Sequence, residues 1–325
     1  MKRKILLIPL ALLLAMSLVA IGCAVPAPAP EAYPERSINV LIGYGPGGGT
    51  DRFARAIGTP LSEIFGWGLV YVYLPGGAGS IAEDYVQKQP ADGYTLLAMG
   101  GDFPINLVTG KTPYSLDSYI ALCRVQQDTS TIQIRGDDDR FSNLEEFLAY
   151  AKEHDVNIGG TGAGGLDEVV TSLFIRASGI KARYVTYEKA GKTHASLLAG
   201  DIDAMHEELG PVIGLVEAGD IKPIVIMSEE RVADFPDLPT AVEMGWDITL
   251  GRWRGYLLKD GVPDDIVRQL EAAVYQAYET DDDKKWAKES YLHLRAGWLS
   301  GDDFLKLIKD EMKMYEELLT ELGYL

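Results

Sequence analysis

The strongest constraint on the fold is a regular alternation of two sequence patterns along the chain. Short apolar runs rich in β-branched residues indicate strands, whereas apolar residues spaced three and four positions apart indicate helices that bury one face. This alternation predicts an α/β protein in which mainly parallel sheets are flanked by helices. The strand-like runs cover residues 38–43, 69–74, 94–100, 156–160 and 221–227.

Local signals also predict where some helices begin and end. Apolar spacing over residues 53–65 indicates a helix, but Pro60 lacks an amide hydrogen and should end or kink it near Gly58. Ser142 or Asn143 should cap a second helix, because a hydroxyl or amide oxygen there can accept from the free N–H groups of the first turn.

Two long extended segments, residues 118–136 and 246–258, are too polar to be single central strands. We expect each to cross between two lobes. The first lobe would then comprise residues 33–125 and 252–325, and the second would comprise residues 126–251. A double crossing of this kind forms a hinge above a cleft, so we expect a two-lobed clamshell.

The amino terminus predicts export. Residues 1–22 combine a basic start with a long apolar stretch, and the sequence "AIGC" ending at Cys23 is similar to a bacterial lipobox. We therefore expect a cleaved signal peptide, lipidation of Cys23 and a Pro/Ala tether over residues 23–32. An uncleaved membrane anchor, or a plain signal peptide with a chance cysteine, is the alternative. In the mature chain Cys123 is then expected to be a small buried apolar residue.

Charge and motifs exclude several classes of function. The formal net charge is −18, and it becomes −21 when the three basic residues of the signal peptide are removed, so nucleic-acid binding is not expected. The sequence contains no metal or nucleophile motif, and His206 lacks the second histidine that zinc would need four positions later. We expect no cofactor, no metal and no catalysis. His154, His194 and His293 are expected at the surface.

Three glycine-rich loops each follow a predicted strand and precede a predicted helix. They read "GYGPGGGT" after residue 42, "LPGGAGS" after the second strand, and "GGTGAGG" after the strand near residue 158. Free N–H groups at such helix starts favour an anion, although each loop could also be only a tight turn. The first loop matches G-x-G-x-x-G, but Pro46 removes a donor and Leu74 replaces the expected acid, so a dinucleotide is not expected.

Several longer strings carry a family resemblance. "YPERSINVLIGYGPGGGTDRFARAI", "PADGYTLLAMG", "LLAGDIDAM" and "ADFPDLPTAVEMGW" resemble the substrate-binding proteins of tripartite tricarboxylate transporters, the TctC or Bug family. The resemblance extends over the whole chain from about Tyr33. It implies a type II periplasmic-binding-protein fold that closes on a small carboxylate outside the cytoplasm and delivers it to membrane permease subunits.

The resemblance also implies which residues hold the ligand. The first two loops would bind a carboxylate through backbone and hydroxyl groups, often with water, and the third loop and a later strand would complete the site from the second lobe. On this chain the implied residues are Gly47, Gly48, Gly49, Thr50, Asp51, Gly77, Ala78, Gly79, Ser80, Thr161, Gly162, Gly164 and Tyr187.

Two departures from the family pattern bear on the ligand. Glu207 and Glu208 follow His206 where the family commonly has another run. They would repel a polycarboxylate unless they are protonated, paired or turned away, and they could instead receive an ammonium group or face solvent. Asp102 is either a further acceptor for a cation or a helix cap. Arg252 and Arg254 should share one face of a strand, where we expect them to pack at the hinge; direct contact with a ligand carboxylate is the alternative.

The ligand class stays open at this point. A dicarboxylate or tricarboxylate, an aromatic acid and an acidic amino acid all fit the pattern, and we expect the receptor to be a monomer. A sensor that reports ligand occupancy, or a secreted enzyme with Asp51 as its one candidate nucleophile, are the alternative functions.

Overall fold

The computed structural model describes residues 33–325. The predicted signal peptide, the lipidation site Cys23 and the tether therefore lie outside the described residues. Residues Arg36–Leu325 form one compact unit. Among the described helices, none combines the length and apolar character that spanning a membrane requires.

Strands occur at the predicted positions, and further strands complete two sheets. Within the described residues the strands are β1 (Ile38–Ile42), β2 (Leu69–Tyr73), β3 (Thr95–Gly100), β4 (Tyr119–Gln127), β5 (Ser130–Arg135), β6 (Val156–Thr161), β7 (Ala182–Tyr187), β8 (Ala204–Glu208), β9 (Ile221–Ile226), β10 (Trp253–Lys259) and β11 (Leu299–Ser300).

Helices connect most of these strands. Within the same part of the chain they are α1 (Gly49–Phe65), α2 (Ser80–Gln87), α3 (Asp102–Val108), α4 (Leu144–Glu153), α5 (Leu166–Ser178), α6 (Ala190–Ala199), α7 (Leu209–Glu217), α8 (Asp264–Tyr278), α9 (Asp281–Glu289) and α10 (Gly301–Leu322). Asn143 caps α4, since its side chain accepts from the amide of Glu146.

Both sheets are mixed rather than mainly parallel. The first has the spatial order β11-β4-β10-β3-β1-β2, in which β1 is parallel to β2 and β3 while β10 is antiparallel to β3 and β4. The second has the order β7-β6-β8-β5-β9, in which β6 is parallel to β7 and β8 while β5 is antiparallel to both neighbours. The antiparallel strands are those next to the points where the chain passes from one sheet to the other.

The chain crosses between the sheets twice. Strand β4 belongs to the first sheet and β5 to the second, and only Asp128 and Thr129 lie between them. The chain returns after β9, and the predicted extended segment becomes a strand only from Trp253. The amide of Asp128 donates to the carbonyl of Arg252 over 2.8 Å, so the two crossing segments lie side by side.

Each sheet has its own apolar core, and α10 contributes to both. Phe304 and Ile308 pack with the core of the first sheet, whereas Tyr315 and Leu319, about two and three turns after Ile308, pack with that of the second. Cys123 is buried in β4, and burial raises the pKa of its thiol.

Helix α1 contradicts the expectation that Pro60 ends the helix and does not test the alternative, a kink. The helix does not end near Gly58 but continues past the proline to Phe65, where Gly66 adopts the left-handed conformation and closes it. The missing amide of Pro60 costs one hydrogen bond. Burial of the proline and of Leu61 offsets that loss, so the tertiary environment overrides the local rule.

Candidate ligand-binding cleft

A cavity of about 260 Å³ lies where loops after the parallel strands of both sheets meet. Loops that follow β1 and β7, together with the carboxyl ends of β6 and β8, supply most of its wall. The lining residues are Tyr44, Gly45, Pro46, Gly47, Gly48, Gly49, Thr50, Thr161, Asp167, Glu188, Lys189, Ala190, Gly191, His194, Glu207, Glu208, Pro211, Arg252 and Arg254.

The first glycine loop places the start of α1 at this cavity. Gly48 is the cap of the helix and has no side chain to satisfy the first N–H groups. The amides of Gly49, Thr50 and Asp51 therefore have no acceptor within the helix and lie at its positive end. Gly47 has a φ of +83°, which a side chain would strain. The loop thus offers backbone donors to an anion.

Asp51 supports this loop from behind. Its carboxylate accepts from the amide of Gly47 over 2.8 Å, from Arg55 Nε over 2.8 Å and from the hydroxyl of Tyr73 over 2.7 Å. Asp51 is buried and is not one of the described residues that line the cavity. Asp51 therefore stabilises the turn that precedes α1.

Gly49 allows an arginine to approach the helix start. A Cβ atom built on Gly49 would lie 2.1 Å from Nη2 of Arg254 and 2.5 Å from its Cζ. Only glycine therefore fits at this position while the guanidinium of Arg254 stays where it is. Gly49 and Arg254 are separated by about two hundred residues of sequence, so this contact depends on the fold.

The second glycine loop packs behind the first one. The carbonyl of Ala78 accepts from the hydroxyl of Tyr44 over 3.2 Å and from Nδ2 of Asn106 over 2.9 Å. A Cβ atom on Gly43 would come within 2.8 Å of the Cα of Gly79, so the two loops touch closely. Four predicted ligand residues in this loop are absent from the described lining: Gly77, Ala78, Gly79 and Ser80.

The third glycine loop meets the second one from the other sheet. A Cβ on Gly162 would lie 3.4 Å from that of Ala78, and the ammonium of Lys111 donates to the carbonyl of Gly164 over 2.9 Å. Tyr187 packs against the apolar cluster around Leu197. Thr161 lines the cavity, whereas Gly162, Gly164 and Tyr187 lie outside the lining that the structure describes.

Two buried arginines form the floor of the cavity with carboxylates from both sheets. Arg252 contacts Asp102, Asp167 and Glu208, with a distance of 2.9 Å from its Nε to Glu208 Oε1. Arg254 binds Glu208 over 3.0 Å and Asp128 over 3.3 Å. We expected packing at the hinge, and the structure adds that both guanidinium groups line the cavity and are already paired.

These ion pairs set the pKa values of the carboxylates. Burial opposes ionisation of Glu208, but Arg254 and Arg252 lower its pKa to about 2. Burial also opposes ionisation of Asp167, and His206 and Arg252 hold its pKa well below the usual range. Burial together with the charge of Glu208 raises the pKa of Asp128 to about 7. Glu208 and Asp167 are therefore the anions to which the arginines are bound.

Asp102 has both of the roles that the sequence left open, acceptor for a cation and helix cap. Its partners in both roles are groups of the protein itself. Its carboxylate pairs with Arg252 and accepts from the hydroxyl of Tyr44. It also accepts from the amide of Leu166 over 2.7 Å and so caps α5 from a loop of the first sheet. Asp102 is 1% exposed and is not found in the described lining. It links the two sheets beneath the cavity.

Glu207 and His194 form a pair on the side of the second sheet. Nε2 of His194 lies 2.8 Å from Oε2 of Glu207, and Oε1 accepts from the amide of Glu208 over 3.0 Å. The expectation that His194 is a surface residue is wrong: its side chain is 17% exposed, because it lies one turn into α6 and lines the cavity at which that helix begins. Burial, followed by the charge of Glu208, raises the pKa of Glu207.

Helix starts from the second sheet complete the wall. Lys189 caps α6 and Glu208 caps α7 without a side-chain bond to either helix, and Ala190, Gly191 and Pro211 line the cavity beside them. Sequence reasoning missed Lys189 and its neighbours. The available signal was their position after β7, at the carboxyl end of a parallel strand, where ligands of open α/β sheets bind. Within the described residues, no group of three or more His, Cys, Asp or Glu side chains could hold a metal ion.

Two mixed α/β sheets, joined by two crossing segments above a cavity lined with helix starts, define a solute-binding protein of the periplasmic type. Solved structures share this fold. MatC from Rhodopseudomonas palustris, solved with bound malate, superposes with a TM-score of 0.79 at 24% identity over 88% of this chain and all of MatC. An R. palustris protein solved with adipate gives 0.82 at 23% identity, covering 90% of this chain and 98% of the other. The predicted periplasmic-binding-protein fold class is confirmed, except that both sheets are mixed rather than mainly parallel.

The family follows from the sequence. The family described as the tripartite tricarboxylate transporter family receptor, TctC, matches residues 53–324. The chain therefore belongs to this receptor family, and the resemblance drawn from its motifs is confirmed. Protein BugT from Bordetella pertussis is 25% identical over 265 residues, which cover 80% of this chain and 81% of BugT. Membership of the family makes the chain an extracytoplasmic solute-binding receptor.

Proposed function

We propose that this receptor captures a small carboxylate in the cavity and delivers it to the membrane subunits of a tripartite tricarboxylate-type transporter. The observation that carries the proposal is the start of α1, where a glycine cap leaves the amides of Gly49 and Thr50 without an intrahelical acceptor at the cavity wall. Backbone donors at the positive end of a 17-residue helix suit a carboxylate. The malate and adipate in the related structures support the same ligand chemistry.

Closure of two lobes would complete this site. We assign residues 33–125 and 252–325 to one lobe and residues 126–251 to the other, with the crossing segments as the hinge. Contacts between them support this assignment, because Arg52 Nη1 donates to the carbonyl of Gly210 over 3.1 Å and Asp102 caps α5. The open form would bind with one lobe, and closure would add the donors of the second.

The remaining parts of the proposal concern the cellular setting. Lipidation at Cys23 and the tether after it would hold a monomeric receptor near its permease. A role without catalysis is supported by Asp51, the one nucleophile candidate from the sequence, because its carboxylate is occupied by Gly47, Arg55 and Tyr73. Mass spectrometry of the mature protein would detect the diacylglyceryl group on Cys23.

Calorimetric titration tests the ligand class and the site together. The panel should contain dicarboxylates, tricarboxylates, aromatic acids and acidic amino acids, and we expect at least one of them to bind. In Gly48→Val the added side chain has room, since a Cβ there meets only the carbonyl of Gly45 at 3.4 Å, but it would cover the free amides. We expect a loss of affinity of at least a hundredfold with an unchanged fold.

A matched control is Gly214→Val, on an exposed part of α7 where a Cβ would meet nothing within 4 Å. It should bind as the unmodified protein does. If Gly48→Val also binds normally, the carboxylate does not rest on the start of α1. If no carboxylate binds while sugars or nucleotides do, the proposed ligand chemistry is wrong.

A further inference from the structure

The two arginines of the cavity are already neutralised by the protein. Arg252 and Arg254 face four carboxylates, which belong to Asp102, Asp128, Asp167 and Glu208. His206 adds a partner for Asp167, with Nδ1 3.3 Å from Oδ1. Even if His206 is protonated and Asp128 is neutral, the positive and negative charges of these groups add up to zero. A ligand with two negative charges would therefore find no spare buried cation on this floor.

Glu207 is different from the other buried carboxylates of the wall. Its partners are His194 and the amide of Glu208, and neither guanidinium binds it. Each carboxylate oxygen can accept two hydrogen bonds, so both oxygens of Glu207 retain capacity. Glu207 lines the cavity while being 8% exposed, and the upward shift of its pKa reflects a buried carboxylate with too little positive charge around it.

The opposite character appears around the first glycine loop. The starts of α1 and α6 present backbone N–H groups there, and Lys189 stands beside them. The guanidinium of Arg254 is 3% exposed and lines the same cavity, and its buried Nε has no acceptor among the described residues. A buried donor without a partner is rare and points to an acceptor supplied by water or a ligand. The same cavity thus contains both hydrogen-bond donors and the carboxylate of Glu207.

We propose that the ligand carries both a carboxylate and an ammonium group, with the ammonium bound by Glu207 and the carboxylate bound at the first glycine loop. This inference rests on the proposed function and narrows its ligand class to amino acids. An ammonium group cancels one carboxylate charge of the ligand, so a ligand with one carboxylate and one ammonium brings no net charge to a floor that is already balanced, and an acidic amino acid brings one negative charge instead of two. The ammonium donates to Glu207, whose partners within the protein are a histidine ring and a backbone amide rather than an arginine, and so adds positive charge beside this carboxylate.

Selectivity follows from the same geometry. A carboxylate ligand without the amino group leaves the spare acceptor capacity of Glu207 unused or places a second anion beside it, and both alternatives cost binding free energy. A site that hydrogen-bonds an N–H group of its ligand strongly rejects an analogue without that group. We expect the amino compound to bind at least tenfold more tightly than its partner without the amino group.

Matched ligand pairs test this inference by calorimetric titration of the whole mature receptor. The pairs are glutamate with glutarate, aspartate with succinate, and 4-aminobutyrate with butyrate, which differ only in one ammonium group. In the unmodified protein at least one amino compound should bind tenfold or more tightly than its partner. In Glu207→Gln that ratio should fall toward one, while binding of the amine-free acid stays equal or improves.

Glu63→Gln is the control, because it removes one charge from an exposed position on α1 outside the described cavity lining. Its ratios should match those of the unmodified protein. If Glu207→Gln does not fold, Glu207→Asp and the ratios of the unmodified protein still decide the question. Amine-free acids that bind as tightly as, or more tightly than, their amino partners would overturn the inference and leave the proposed function standing. Failure of every carboxylate would overturn both.

Discussion

Replacing Gly49 with alanine tests whether Arg254 is held against the start of α1. The new Cβ would lie 2.1 Å from Nη2 and 2.5 Å from Cζ, so the guanidinium must move. Arg254 is 3% exposed and binds Glu208 over 3.0 Å and Asp128 over 3.3 Å, which means that movement disrupts buried ion pairs.

The size of the effect can be worked out from these contacts. Breaking a buried ion pair costs about 3–5 kcal/mol. Alanine is a better helix former than glycine by up to about 1 kcal/mol, which offsets part of the loss. We therefore expect the free energy of unfolding of Gly49→Ala to fall by about 2–4 kcal/mol. Equilibrium urea denaturation, followed by tryptophan fluorescence and by circular dichroism, measures this difference.

The adjacent glycine provides the control. In Gly48→Ala the Cβ meets only the carbonyl of Gly45 at 3.4 Å, and the φ of −74° suits any residue. Its stability should change by no more than about 0.5 kcal/mol. If the two variants are equally stable, Arg254 does not occupy the space above Gly49 and the account of the floor is wrong.

Two further predictions concern buried carboxylates. Glu83 is fully buried, and burial raises its pKa to about 8. In the unfolded chain the same carboxyl group loses its proton near pH 4.5. The free energy of unfolding should therefore fall as the pH rises from 4.5 to 8. Glu83→Gln should make this decline with pH less steep. If the variant melts at pH 8 no higher than the unmodified protein does, the prediction for Glu83 is wrong. Asp102→Asn weakens the pair with Arg252 and the cap of α5, so we expect a loss of about 1–3 kcal/mol in urea denaturation; an unchanged midpoint would show that Asp102 does not link the sheets.

The secondary structure was predictable because its signals are local. The apolar runs of β1, β2, β3, β6 and β9 carry the strand pattern within a few residues, and Asn143 supplies its own cap to α4. Pro60 shows the limit of such rules. The loss of one hydrogen bond is local, whereas the burial that compensates for it depends on what packs against α1.

The candidate site was predictable in part for a related reason. The first loop faces the cavity because it follows a parallel strand, and this can be inferred from order along the chain. The second loop follows a parallel strand as well, yet it packs behind the first, where Ala78 accepts from Tyr44 and Asn106. Which of two adjacent loops reaches the cavity depends on how they pack against each other, and the sequence of neither loop predicts that packing.

Contacts between distant segments were beyond sequence reasoning. The pairing of Glu207 with His194 requires β8 and α6 to meet at one wall, and the pairing of Arg252 with Asp102 and Asp167 requires both sheets. A lone histidine in a helical pattern carries no sign of its partner. The charge of these residues was evident in the sequence, but their neutralisation by one another appears only in the fold.

The central claim is that a ligand carboxylate rests on the start of α1. A crystal structure of the mature receptor with the acid that raises its melting temperature most would test this most directly. We expect a carboxylate oxygen at hydrogen-bond distance, about 2.7–3.2 Å, from the amides of Gly49 and Thr50. A carboxylate bound elsewhere in the cleft, with those amides bonded to neither ligand nor bridging water, would contradict it.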